Sequence, residues 1–374
     1  MPRFLCLLTA FLSLLFFLPA ALPCKAKEPS ISGECGCLYL PQLDKMLWEK
    51  NADVRRPMAS TTKIMTALVV LENCALDEEF KIPAEAVGVE GSSVYLEAGE
   101  VQSVENMLYA LLLASANDAA TALAIHTAGS VAAFAELMNR RAEQMGLTDT
   151  HFTNPHGLAD KEHYTTAREL AKITQEAMKN PQFREIVSTK NKVISVKNGS
   201  STRTLTNHNR LLRCYDDCIG VKTGFTKNSG RCLVTAAERS GMLLIAVTLH
   251  APDDWRDHTA MLDYGFSQYE GRLLTEASQR SFEIPVVNGT QNTVSLLSDG
   301  GCAVLKKDSP PLEISYEINR FAVAPLKKGA ILGIVRYTQD GATVATVPLY
   351  AAEDVDALPL RHGFWDKIKN LLKM

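Results

Sequence analysis

The sequence predicts an α+β protein with a second, smaller β-rich domain, and three observations predict it. Apolar helical segments fill the first half of the chain, at residues 58–71, 104–113, 119–125 and 131–145. A three-strand meander spans residues 219–249, and from about Leu274 the composition shifts to short β runs. At 374 residues the chain exceeds what one compact core usually holds, so two domains are expected. A hydrophobic content of 46% and a mean hydropathy near zero fit a globular chain. A net charge of −3 argues against a nucleic-acid partner.

The N-terminus reads as an export signal. Arg3 precedes an uncharged stretch over residues 4–24 whose apolar core ends at Leu18, before Pro19 and Pro23. Small residues at Ala20, Ala21 and Ala26 place cleavage within residues 21–26; a retained anchor is the alternative. The expected organisation is a signal over 1–26, a catalytic domain over 27–273, a β-rich domain over 274–355 and a tail over 356–374. Of nine cysteines, Cys6 leaves with the signal. Export permits disulfides, but Cys35 and Cys37 are too close to pair comfortably, and Cys214 and Cys218 need favourable loop geometry. Free, partly buried thiols are expected. Neither Cys-x-x-Cys nor His-Glu-x-x-His occurs, so no zinc site, and no metal or cofactor, is expected.

Residues 30–51 read as an antiparallel hairpin carried by Leu38, Leu40, Leu43 and Met46-Leu47-Trp48. The next segment, 58–71, holds no Gly or Pro and one charge, Lys63, which makes it a buried helix. Residues three apart share a helix face, so Ser60 and Lys63 present hydroxyl and amine together in the first turn. A desolvated lysine loses part of its preference for the charged form, and a neutral amine can activate a hydroxyl as a nucleophile. Residues 72–100 read as loop. The helix at 104–113 stops at Ser115-Ala116-Asn117, a break before the next apolar helix. There Ser115 and Asn117 are either caps or a proton-relaying hydroxyl and an amide that grips a substrate carbonyl or orients Lys63.

His156, in the loop 151–158, is expected to bond backbone rather than act as a base, and Thr165 or Thr166 caps the following helix. Strands at 193–196 and 204–209 flank the turn at Asn198-Gly199. The meander begins with Lys222-Thr223-Gly224-Phe225, where alternation puts Thr223 and Phe225 on one face and Gly224 permits close backbone approach.

Ser60-x-x-Lys63, Ser115-x-Asn117 and Lys222-Thr223-Gly224 each occur once, in this order and with wide gaps. This triple pattern resembles the serine penicillin-recognising enzymes, in which such motifs surround one cleft. Pro57-Met58-Ala59-Ser60-Thr61-Thr62-Lys63, Ser115-Ala116-Asn117-Asp118-Ala119, Asn154-Pro155-His156-Gly157-Leu158 and Val221-Lys222-Thr223-Gly224-Phe225-Thr226 most resemble the low-molecular-mass penicillin-binding D-alanyl-D-alanine carboxypeptidases, serine peptidase family S11. The resemblance covers roughly residues 30–355. It implies a penicillin-binding, β-lactamase-like transpeptidase fold, an antiparallel sheet flanked by helices. It further implies a peptidoglycan pentapeptide stem as substrate, release of its terminal D-alanine, and trapping by β-lactam antibiotics. On the family pattern Ser60 attacks, Lys63 takes its proton, and Ser115 protonates the leaving group. Backbone N–H groups of Ser60 and Phe225 hold the oxyanion, Lys222 and Thr223 bind the terminal carboxylate, and Asn117 holds the substrate amide.

Short β runs at 282–286, 293–297, 312–316, 331–337 and 343–347, with turns at Asn288-Gly289 and Asp340-Gly341, read as a small antiparallel sandwich. In the tail, Phe364, Ile368, Leu371 and Leu372 share a side while Lys367, Lys369 and Lys373 face anionic headgroups, an interfacial helix pattern. The expected site of action is the outer face of a bacterial cytoplasmic membrane or the cell wall. A single-domain β-lactamase would lack the C-terminal domain and tail. Endopeptidase cleavage would use the same residues, and a penicillin-binding sensor is the alternative outside catalysis.

Overall fold

The structure is a computed structural model and describes residues 27–274 and 282–359. The export signal and most of the tail lie outside the described residues. Strands β1 (Cys35–Leu40) and β2 (Lys45–Lys50) form the expected hairpin. Two three-residue strands follow, β3 (Glu79–Lys81) inside the segment read as loop and β4 (Val101–Ser103) just past its end, paired antiparallel. They are too short to carry a period. Next come the hairpin β5 (Asn191–Ser195) and β6 (Thr202–Thr206), then the meander β7 (Cys218–Thr226), β8 (Gly230–Arg239) and β9 (Met242–Leu249).

Hairpin and meander join in one antiparallel sheet of order β2-β1-β9-β8-β7. Both faces of its centre are covered. In β1, Cys35, Cys37 and Tyr39 enter the large core, while Leu38 and Leu40 enter a second one. In β9, Leu243, Ile245, Val247 and Leu249 face the large core, and Met242, Leu244 and Ala246 the other. Burial on both faces is why β9 reads as an unbroken apolar run despite its period of two.

The large core is helical. Helices Lys63–Asn73, Val104–Leu112, Asn117–Ala128, Val131–Gln144, Ala167–Met178 and Pro181–Ser188 pack on this side. Thr166, rather than Thr165, caps its helix by accepting from the Glu169 N–H at 3.1 Å. Helix Asp254–Gln268 covers the opposite face through Met261, Leu262 and Phe266. Its inward-facing Asp254, Asp257 and His258 mask the apolar period, so the sequence pattern does not show it.

The C-terminal unit is sheet-rich. Strand β10 (Tyr269–Leu273) leaves the Asp254–Gln268 helix and, past β11 (Phe282–Val287) and β12 (Thr293–Leu297), pairs with β13 (Cys302–Lys306). With β14 (Glu313–Ile318), β15 (Ala322–Val323), β16 (Ile331–Gln339) and β17 (Ala342–Ala351), the larger sheet runs β14-β16-β17-β12-β11-β15. It is not wholly antiparallel as expected: β11 and β15 pair in parallel. Its core, built on Val335, Tyr337 and Leu349, is separate from the other two. Seven cysteines among the described residues are free thiols.

Candidate active site

The segment carrying Ser60 is not one continuous α-helix. A 3-10 turn, Ala59–Thr62, precedes the α-helix Lys63–Asn73. In a 3-10 turn side chains three apart eclipse, which sets Lys63 over Ser60. Ala59 holds φ +48, a left-handed conformation costing a non-glycine residue on the order of 1 kcal/mol. Packing holds the turn in place. A Cβ on Gly157, itself at φ +88, would come within 1.9 Å of the Ala59 carbonyl oxygen. One on Gly224 would sit 3.0 Å from the Ser60 nitrogen. Only glycine permits these approaches of loop and strand to the Ser60 backbone. From beneath, Thr153 N–H donates to His163 Nδ1 at 3.1 Å, which leaves the proton on Nε2 to donate to Thr62 Oγ1 at 2.8 Å. Thr62 Oγ1 in turn donates to the Ala59 carbonyl at 2.8 Å. Burial pushes His163 down to about 4, keeping it neutral in this chain of bonds.

Lys63 is fully buried. Its Nζ lies 3.0 Å from Ser60 Oγ, 2.7 Å from Asn117 Oδ1 and 2.8 Å from the His156 carbonyl oxygen. Burial, and then the Lys222 charge, push the amine well below the usual lysine range, against a smaller pull from Asp118. The geometry suits the neutral form. Two N–H groups meet the two carbonyl-type oxygens, which only accept, and the lone pair is left for the Ser60 hydroxyl. His156 bonds backbone, accepting from Leu158 N–H at 3.2 Å, and burial pushes it down to about 3.

Ser60, Ser115, Thr223, Gly224 and Phe225 line one cleft of about 350 Å³. Lys63, Asn117 and Lys222 stand behind its wall, each at least 96% buried. Ser115 reaches the cleft in a left-handed conformation, φ +61, at the break between helices Val104–Leu112 and Asn117–Ala128. Asn117 is a bridge, its amide nitrogen donating to the Glu90 carbonyl at 2.5 Å and its oxygen accepting from Lys63. Lys222 donates to the Thr223 carbonyl at 2.8 Å, and burial lowers it to about 7. Phe225 is two-thirds exposed at the rim.

Several residues of this site lie outside the three spaced motifs. Asp118, fully buried, accepts from Ser93 Oγ at 2.6 Å and from the Val94, Leu96 and Ala119 N–H groups, tying the loop beside the cleft to the helix that carries Asn117. On the far wall Arg231 pairs with Asp254 at 3.1 Å and lies over the Trp255 ring, all three lining the cleft. His208 lines it too. The signals for Asp118 are its place in the stretch Ser115-Ala116-Asn117-Asp118-Ala119 and its position at the positive end of a helix.

Residues 24–253 match the family described as D-alanyl-D-alanine carboxypeptidase. The chain belongs to the D-alanyl-D-alanine carboxypeptidase family. Its enzyme class is therefore that of a serine-type D-Ala-D-Ala carboxypeptidase. Residues 269–357 match the C-terminal domain of penicillin-binding protein 5. Among curated relatives, the D-alanyl-D-alanine carboxypeptidase DacF of Bacillus subtilis is 31% identical over 99% of this chain and 100% of its own length. The Streptomyces K15 D-alanyl-D-alanine carboxypeptidase is 38% identical over 64% of this chain and 89% of its own. Among solved structures, penicillin-binding protein 5 of Haemophilus influenzae superposes with a TM-score of 0.64 at 29% identity, covering 88% of this chain and 99% of that one. These likenesses agree with the antiparallel sheet flanked by helices and the sheet-rich C-terminal unit described above.

Proposed function

We propose that Ser60 is the nucleophile of a D-Ala-D-Ala carboxypeptidase acting on peptidoglycan pentapeptide stems. The observation that carries this reading is the buried Lys63 amine, 3.0 Å from Ser60 Oγ and bonded to two carbonyl oxygens. Lys63 takes the Ser60 proton as Oγ bonds to the D-Ala carbonyl carbon. The oxyanion rests on the N–H groups of Ser60 and Phe225, each such donor worth roughly 3 kcal/mol. The contact of Gly224 with the Ser60 backbone supports this pairing. Ser115 relays the proton held on Lys63 to the departing nitrogen as the C–N bond breaks, which leaves Lys63 neutral and Ser115 protonated, and D-alanine leaves. Water then adds to the ester carbon as one of its O–H bonds breaks, the Oγ–C bond breaks, and the proton given up by the water passes to Ser60 Oγ. Lys222 and Thr223 hold the substrate carboxylate, and Asn117 fixes Lys63 and presents its remaining N–H to the substrate amide. A β-lactam mimics the dipeptide and stays on Ser60 as an ester.

The purified protein should release D-alanine from a pentapeptide ending in D-Ala-D-Ala and be labelled by a fluorescent penicillin. Ser60→Ala should lower D-alanine release by a factor on the order of 10⁴ or more and remove the label. A label that survives in Ser60→Ala overturns the nucleophile assignment. A label without D-alanine release favours a penicillin-binding sensor.

The reading extends to location: residues 1–26 direct export and the basic tail holds the enzyme on an anionic membrane surface. Lys367, Lys369 and Lys373 beside Phe364, Ile368 and Leu371 support it. The full chain should sediment with phosphatidylglycerol vesicles, and a chain ending at residue 359 should not. Equal sedimentation of both discards the tail as the anchor.

A further inference from the structure

Far from the cleft, the ends of two catalytic helices meet in a cluster of unlike donors. Cys74 caps the C-terminus of helix Lys63–Asn73, its N–H donating to the Val70 carbonyl at 2.9 Å. His126 lies in the last turn of helix Asn117–Ala128. Glu78 sits between them, its backbone held by Ala75 at 3.2 Å and Val104 at 2.9 Å. Cys74 Sγ, a Glu78 carboxylate oxygen and a His126 ring nitrogen all lie within 4.8 Å of one another.

We propose that Cys74, Glu78 and His126 bind one divalent cation of the zinc class, which clamps the far ends of the helices bearing Lys63 and Asn117. The separations fit such an ion. Zinc bonds of about 2.0–2.3 Å in tetrahedral arrangement set ligand atoms about 3.3–3.8 Å apart, so no pair has to close by more than about 1.5 Å. His126 Nε2 already stands 3.1 Å from Glu78 Oε1. That nitrogen is buried and makes no hydrogen bond of good geometry among the described residues. The His126 ring is held in plane against Phe80, centroids 4.1 Å apart and 13° from parallel, so its direction is set before an ion arrives. Thr127 Oγ1, 3.4 Å from Cys74 Sγ, is placed to donate to a bound thiolate. The negative ends of two helix dipoles converge here and favour a cation.

The donor set selects the ion. One sulfur, one imidazole nitrogen and one carboxylate oxygen suit zinc or cobalt(II) and not magnesium or calcium, which prefer oxygen alone. Glu78 is exposed, leaving a fourth position open to water. On binding, the Cys74 S–H bond breaks, its proton goes to solvent and the thiolate takes the metal, so affinity rises with pH. Cys74 lies about 16 Å along its helix from Lys63, and His126 about 14 Å along its helix from Asn117. The Lys63–Asn117 bond joins the two helices at one end, and the ion joins them at the other. The ligands are scattered as Cys-x-x-x-Glu and a distant histidine, which no zinc spacing pattern describes.

Cobalt(II) titration of the chelator-treated protein is the test, read by visible and near-ultraviolet absorbance. One Co²⁺ per chain should give four-coordinate bands and a thiolate charge-transfer band, and Zn²⁺ should bleach both. Cys74→Ser should lose the charge-transfer band. His126→Ala and the exposed-site variant Glu78→Gln should each weaken binding about tenfold or more. Zn²⁺ should raise the thermal midpoint of the wild type and leave that of Cys74→Ser unchanged. The proposal is overturned by a six-coordinate spectrum in the wild type, by a charge-transfer band that persists in Cys74→Ser, or by equal affinity in Glu78→Gln. None of these readouts depends on peptidase activity.

Discussion

Two lysines behind the cleft share one region, and the charge of one weakens the other's hold on its proton. Desolvation lowers both, and the Lys222 charge lowers Lys63 further. In the proposed reaction Lys63 is then the neutral base and Lys222 the cation that meets the substrate carboxylate. Lys222 titrates at about 7 in the free protein. With protonated Lys222 as the proposed binding form, kcat/KM for the pentapeptide should fall as pH rises through about 7, approaching tenfold for each further pH step of one. The kcat limb should lie higher, because a bound carboxylate stabilises the ammonium. Lys222→Arg keeps its charge and should move the falling limb upward; a wild-type profile that stays level above neutrality refutes the assignment. At this scale the sequence was informative where chemistry and spacing coincide. Ser60 and Lys63 are three apart, which brings them together whether the turn is α or 3-10. His163 was not legible, because its partner Thr62 is 101 residues away and nothing local marks the pair.

Asp118 shows what a single residue does for an element. Four donors converge on its carboxylate, three of them from the loop that walls the cleft. Asp118→Ala strands those groups in a buried setting and should cost about 3 kcal/mol. Penicillin acylation should slow with Ser60 intact, and the Val94 and Leu96 amides should exchange faster. Unchanged exchange at those amides would show that the loop stands without Asp118. The same element scale explains what was missed. Helix Pro181–Ser188 is eight residues long, and helix Asp254–Gln268 buries two aspartates and a histidine on its inner side. Periodicity reads apolar faces, so an inward polar group satisfied by distant partners erases the signal. Asp257 is such a case: it accepts from Ser32 and Gly33, more than 220 residues earlier.

Across the whole molecule, histidines buried in neutral form make stability depend on pH. Desolvation pushes His163 from 6.5 to about 4, and His156 and His258 from 6.5 to about 3. The unfolded chain takes up their protons first, so their contribution is whole above pH 6.5 and drains away as pH falls towards 3–4. Every tenfold loss of proton affinity on folding corresponds to about 1.4 kcal/mol. Urea unfolding from neutral pH down to about 4 should show a falling midpoint, less steep in His163→Gln. A level midpoint would show that these rings are not held neutral. The sequence alone determined the helices with unbroken apolar faces, the hairpins bounded by turn residues, and three motifs whose chemistry fits one reaction. Those features depend on neighbours a few positions apart, where backbone geometry dictates which side chains meet. The tertiary structure alone decided that β1 pairs with β9 to join hairpin and meander in one sheet, that Gly157 and Gly224 press against the Ser60 turn, and that Asn117 orients Lys63. Such contacts join segments tens to hundreds of residues apart, and only the packing of the finished core selects them from the many pairings local pattern allows.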